Sequence, residues 1–244
     1  MKALLLAALL ATLAPSALAQ TATVTDQTLT LTSTTVTPPR KAVLHYPKLS
    51  GLTDPTVLNK VQRAIDLPAV LDEPLEQIKQ SYDQYHWLTE VAYQVNYNQN
   101  GIFDVTYQIS GIGAYPSTSE KQISVSLVSG KVLRAEDLFK VESLGVLARI
   151  LDQSLQAEIK EGIAKVKAAE PDVDAEQMFR NQRYRMRHLN NFSITPQGVT
   201  FRYDYGFPHV ALAYEPAGRF PMTYAELQPY LKPKGVLGFA IAPK

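Results

Sequence analysis

The distribution of apolar residues predicts an α+β fold: an antiparallel β-meander covered on one face by a long helix, with a small N-terminal α/β segment ahead of it. Three patterns carry this expectation. Over residues 90–139 apolar and polar residues alternate in three successive segments, over 144–166 apolar residues recur every three or four, and over 192–205 the alternation returns. A period of two places one apolar face on a strand, and a spacing of three and four places one apolar stripe on a helix.

The chain opens with Lys2, an apolar run over residues 3–14 and the small-x-small sequence Ala17-Leu18-Ala19. This has the form of an export leader, and the run is too short to span a bilayer. Cleavage is expected near Ala19, which would place the mature protein in the periplasm or outside the cell, with no membrane span. Residues 20–39 are rich in threonine, with Leu29 and Leu31 at strand spacing, and read as an edge strand or a linker closed by Pro38-Pro39. Residues 43–46 look extended and are expected to end at Pro47. Asp54-Pro55 then offers a capping side chain and a proline suited to the first helical position, with Leu58, Val61 and Ile65 as the buried stripe and Pro68 as the stop. A second helix is expected from Pro74, with Leu75, Ile78, Tyr82 and Tyr85 on one face.

The meander follows. Val91, Tyr93, Val95 and Tyr97 share one side of the first strand; Asn100-Gly101 supplies residues that tolerate positive φ; Phe103, Val105, Tyr107 and Ile109 share one side of the second. Ile123, Val125 and Leu127 do so in the third, which Ser129-Gly130 ends. A tight turn is expected at 136–139. Ser143 is placed to cap a helix whose stripe is Leu144, Leu147, Leu151, Leu155, Ile159, Ile163 and Val166, and which Pro171 ends. This helix is the expected cover for the meander. A second hairpin spans 192–205, Thr223 and Glu226 form a capping box, and the apolar tail after Gly235 reads as an edge strand or a frayed end. The expected division is leader 1–19, N-terminal segment or small domain 20–84, main α+β domain 85–232 and tail 233–244.

Composition narrows the function classes. The chain has no cysteine, so disulfides, thiol catalysis and thiolate metal sites are excluded, and stability rests on core burial. With Lys2 removed along with the leader, the 23 acidic residues are matched by as many basic ones, which argues against a nucleic-acid binder. His45, His86, His188 and His209 lack the spacing of a helical metal site, and there is neither a nucleophile elbow nor a phosphate-binding loop. No cofactor and no metal is expected. Asp172, Asp174 and Glu176 lack the glycine and distal glutamate of a calcium loop and read as a helix cap.

Two groups of residues suit binding. Arg183, Arg185 and Arg187, with Arg180 nearby, alternate as on one face of an extended strand, and arginine grips carboxylates and phosphates. Tyr115, Asp204 and His209 occupy loop or solvent-face positions among many aromatics, which suit sugar rings and protein partners alike. No catalytic residue is assigned.

The residues also resemble a family. Asn100-Gly101, Gly111-x-Gly113-Ala114-Tyr115-Pro116, Ser129-Gly130-Lys131 and Glu136-Asp137-Leu138-Phe139 carry the resemblance, together with Asn191-Phe192, Gly198-Val199-x-Phe201 and Met222-Thr223-Tyr224-Ala225-Glu226-Leu227. They are similar to the domain of unknown function that forms the extracellular C-terminal part of RsiV-type anti-sigma factors and accompanies the catalytic domain of PdaC-type peptidoglycan deacetylases. Tyr46-Pro47-x-Leu49-x-Gly51-Leu52 and Asn59 resemble the smaller domain that commonly precedes it. The resemblance implies an α+β envelope domain and, in the RsiV branch, a surface that binds lysozyme. The expected function is therefore non-enzymatic binding at the envelope, to a lysozyme-like protein or to peptidoglycan; a glycan hydrolase using paired carboxylates is the alternative, and a structural envelope protein a third reading.

Overall fold

The structure, a computed structural model, describes residues 20–241; the expected leader lies outside them. Strands β1 (Thr23–Thr32) and β2 (Lys41–Ser50) pair antiparallel, so the threonine-rich lead-in is an edge strand. β2 meets β3 (Leu88–Gln99) in parallel at Val43 and Leu44 alone. β3, β4 (Ile102–Ile112) and β5 (Pro116–Ser126) complete a five-stranded sheet as the expected meander. Asn100 (φ 52°) and Gly101 (φ 73°) make its first turn, joining Gln99 directly to Ile102.

Pro47 does not end β2 as expected; the strand runs to Ser50. Past Leu44 it has left β3, so on that side no ladder partner needs the proline's missing N–H. The Gln62 amide takes over there, donating to the Pro47 carbonyl (3.1 Å) and accepting the Leu49 N–H (2.9 Å).

Gln62 belongs to α1 (Pro55–Ile65), which Asp54 caps through the N–H groups of Thr56 and Val57. Helices α2 (Leu67–Leu71) and α3 (Leu75–Tyr85) follow. Val61, Ile65, Ile78 and Tyr82 from these helices share one core with Phe103 and Val105 of β4. The Tyr107 hydroxyl adds a bond to the Ile65 carbonyl.

The α+β class expected from the sequence is therefore what the structure has, but the long helix takes a different place. The segment at 136–139 forms α4 (Ala135–Leu138) rather than a tight turn. A short 3-10 turn follows, and α5 (Leu144–Ala169) begins without a side-chain bond from Ser143. α5 covers a second, three-stranded sheet: after α6 (Ala175–Met178), which Asp174 caps, come β6 (Phe192–Ile194), β7 (Gly198–Arg202) and β8 (Arg219–Thr223). Leu147, Leu151 and Leu155 share a core with Ile194, Val199 and Phe201, whereas α1 to α3 fill the apolar face of the meander. An apolar stripe dictates that a helix is buried, and the small second sheet had an apolar face of its own to bury.

α7 (Tyr224–Leu227) carries the expected capping box, with Glu226 accepting the Thr223 N–H at 2.7 Å. The tail is not a strand: Leu237 is buried, and Phe239 lies in a 3-10 turn stacked on Tyr97.

A β-bulge ties the two halves together. Val95 faces Val105, but Tyr97 faces Asp104, leaving Asn96 as an extra residue. The bulge reverses the strand's phase, so Tyr97 leaves the face it was expected to share with Val91 and enters the α5 core.

Candidate functional site

The most developed surface feature lies where the start of β5 faces the loop over residues 203–218. This loop leaves β7 and returns to β8, closed at its base by the Tyr203 N–H donating to the Gly218 carbonyl at 2.8 Å. Glu158 of α5 holds both ends, accepting from the Tyr205 hydroxyl (2.7 Å) and the Gly218 N–H (3.2 Å). Gly218 has φ +59°, and a Cβ there would sit 2.1 Å from the Tyr203 carbonyl oxygen. Gly218→Ala is therefore expected to cost roughly 2–4 kcal/mol through strain and overpacking; a thermal midpoint equal to wild type would show that the loop is not held at this point.

Between the loop and β5 opens a cleft of about 400 Å³, lined on one side by Thr118, Ser119 and Glu120 and on the other by Asp204, Leu212 and Glu215. Its floor is an ion-pair network. Glu120 pairs with Arg202 and, at 2.8 Å, with Arg219, and all three come from strands. With its amide oriented to satisfy both neighbours, Gln122 accepts from Arg202 (3.0 Å) and donates to Asn191 (2.8 Å). Burial lowers the pKa of Arg202, and the Glu120 carboxylate opposes that shift. The other carboxyls that line the cleft are Asp204, which is exposed, and Glu215, which is half-buried.

The Glu215 carboxyl is raised above its ordinary value by burial; the N–H groups of Phe207, Gly206 and Tyr205 pull it down, and the neighbouring Asp204 carboxylate pushes it up. Asp204 itself accepts the Gly206 N–H at 2.8 Å. On its far side the loop faces a second hollow, of about 390 Å³, against α5, and Glu215 borders both.

Beside the cleft, Tyr115 from the β4–β5 turn stacks on His209 of the loop, with ring centroids 4.2 Å apart and planes 19° from parallel. Val210 is 86% exposed, Tyr115 59% and Leu212 41%. The fold thus brings Tyr115, Asp204 and His209 to one surface.

Arg183 and Arg185 lie elsewhere, along a groove of about 280 Å³ with Gln156, Phe179, Asn181 and Gln182. Both face outward, on either side of the buried Tyr184, but no strand forms there, and Arg187 enters a 3-10 turn. Tyr203 separates the two places: it lines the cleft, while its hydroxyl accepts the Arg183 N–H (3.2 Å) and donates to Gln182 (2.6 Å).

Glu120, Glu158 and Glu215 were missed from the sequence. Glu120 lies in the polar run before Ile123, and Glu215 within a loop rich in proline and glycine, so neither has a periodic neighbour to mark it. Glu158 reads as one more charge on the outer face of α5. Among the described residues, no group of three or more His, Cys, Asp or Glu side chains is placed to hold a metal ion. No helix among them is long and apolar enough to cross a membrane.

No protein-family model matches the sequence, and neither does any curated protein. Solved structures do. A member of the DUF3298 family from Bacteroides fragilis superposes with a TM-score of 0.58 at 12% identity, over 90% of this chain and 98% of that one. A DUF3298 family protein from Pseudomonas aeruginosa gives a TM-score of 0.56 at 13% identity, over 92% and 99%. At such identities the likeness is one of fold, and it is consistent with the domain of unknown function that the sequence resembles.

Proposed function

We propose that this chain is an exported, non-enzymatic binding module of the cell envelope, and that the ridge formed by Tyr115 and the 203–218 loop engages a cationic protein of the lysozyme type. The observation that carries this is the exposed Tyr115–His209 stack with Val210 and Leu212 beside the carboxyls of Asp204 and Glu215. Aromatic and aliphatic side chains left in water on an anchored loop are what protein interfaces are centred on, and flanking carboxylates steer a basic partner. The leader expected over residues 1–19 and the resemblance to a lysozyme-binding branch support the setting and the class of partner.

Residues 20–244, titrated over immobilised lysozyme at physiological salt, are expected to bind saturably, because screening removes non-specific charge attraction. Tyr115→Ala combined with Val210→Ala is expected to weaken binding at least tenfold, the equivalent of about 1.4 kcal/mol. Absence of saturable binding by the unaltered protein would end this assignment of the partner.

A glycan hydrolase is the second reading, favoured by the raised Glu215 carboxyl next to the Asp204 carboxylate, since glycosidases set one acid to donate a proton beside an ionised one. It requires release of soluble fragments from purified peptidoglycan and loss of that release in Glu215→Gln; no release by the unaltered protein removes it.

A further inference from the structure

We propose that the groove beside α5 lined by Arg183 and Arg185 is a separate binding site for an oxyanion, a phosphate or carboxylate group carried by the ligand. This does not rest on the lysozyme reading, since the groove and the Tyr115 ridge share no residue.

Charge is the first ground. Arg180, Arg183, Arg185 and Arg187 fall within eight residues of a chain whose formal net charge is only +1, so the excess is local. Arg183 is 58% exposed, and its one carboxylate contact, to Asp152, is long at 3.5 Å. Arg185 is exposed and has no carboxylate partner among the described residues. Arginine presents a planar fork of donors that matches two oxygens of a phosphate or carboxylate.

Pre-organisation is the second ground. The residue between the two arginines, Tyr184, is buried and fixed at both ends: its N–H donates to Asp152 (2.8 Å) and its hydroxyl to the His188 carbonyl (3.1 Å). The flanking backbone is held as well, the Arg183 N–H by the Tyr203 hydroxyl (3.2 Å) and the Arg185 N–H by His188 Nδ1 (2.9 Å). Two guanidinium groups therefore leave a rigid backbone on the same side, and only their side chains need ordering when an anion arrives. His188 reports the field here: burial lowers its pKa first, and the Arg187 and Arg185 guanidiniums lower it further. Gln156, Phe179, Asn181 and Gln182 line the rest of the groove, and the Gln182 amide is fixed in turn, accepting from the Tyr203 hydroxyl (2.6 Å) and donating to the Tyr205 carbonyl (3.0 Å).

The test is calorimetric titration with tripolyphosphate and with citrate at physiological salt. Saturable binding of at least one is expected. Arg183→Ala with Arg185→Ala is expected to weaken it at least tenfold, and Arg183→Lys with Arg185→Lys severalfold, because lysine keeps the charge but not the fork. Removing the same charge elsewhere, with Arg63→Ala and Lys79→Ala, is expected to leave it unchanged. Tighter binding of tripolyphosphate assigns the site to phosphate, and tighter binding of citrate assigns it to carboxylate. No saturation by either probe at millimolar concentration, or equal weakening by the Arg63 and Lys79 pair, overturns the proposal. Because neither probe is a protein, the outcome is independent of lysozyme binding.

Discussion

Replacing Leu151 by aspartate is expected to abolish cooperative folding. Leu151 is 1% exposed, at the middle of the α5 stripe, with Leu147 and Leu155 one turn away on either side and equally buried. The substitution removes a buried aliphatic side chain and puts an unpaired carboxyl in its place, a combined cost of roughly 5 kcal/mol or more, comparable with the whole stability of many domains. Two probes are read together. Helical circular dichroism follows α5 together with α1 to α3, and the single tryptophan, Trp87, lies at the entrance to β3 against Gly111 of β4. Because Asp104 and Ser124 on the meander bond to each other and Asp104 bonds onward to β6, both signals are expected to be lost together. A cooperative melt unchanged from wild type would show that α5 does not pack here, and loss of only part of the helical signal with the tryptophan signal retained would show that the two cores unfold separately.

What was legible in the sequence was local. The α5 stripe, the Asn100-Gly101 turn, the Asp54 cap and the Thr223–Glu226 box each involve residues within a few positions of one another, and each has the expected form. Which sheet α5 covers was not legible, because a stripe of leucines carries no information about its partner. The extra residue at Asn96 left no mark in the alternation of Val91, Tyr93, Val95 and Tyr97, yet it sends Tyr97 to the opposite core. The candidate surface divides in the same way. Tyr115, Asp204 and His209 stand out as aromatic or charged residues at loop or solvent-face positions, and the fold gathers them. Glu158, which pins the loop that presents two of them, is separated from Gly218 by 60 positions, and only the folded chain joins them.

Asp104 provides the second large effect and a pH dependence. In the alternation of β4 it falls on the side opposite Phe103 and Val105, and it is fully buried. β6 is an edge strand whose Ile194 N–H points at the five-stranded sheet rather than at water, and the Asp104 carboxylate accepts it at 2.8 Å. Asn96 Nδ2 (2.7 Å) and the Ser124 hydroxyl donate to the same carboxylate. Asp104→Ala strands these buried donors and leaves a hole, at an expected cost of roughly 3–5 kcal/mol near pH 5. Burial pushes the Asp104 pKa up from 3.8 to about 6, with the three donors opposing it. The folded state therefore holds a proton that the unfolded chain has released, and stability contributed by this group is complete below pH 3.8 and is lost as the pH rises through about 6. The cost of Asp104→Ala should accordingly be smaller at pH 8 than at pH 5, by about 1–2 kcal/mol. Chemical denaturation of both proteins at the two pH values measures this as a difference, so other titrating carboxyls cancel. An equal cost at both values would mean that Asp104 ionises in the fold as easily as in the unfolded chain, and that water reaches the seam between the two sheets.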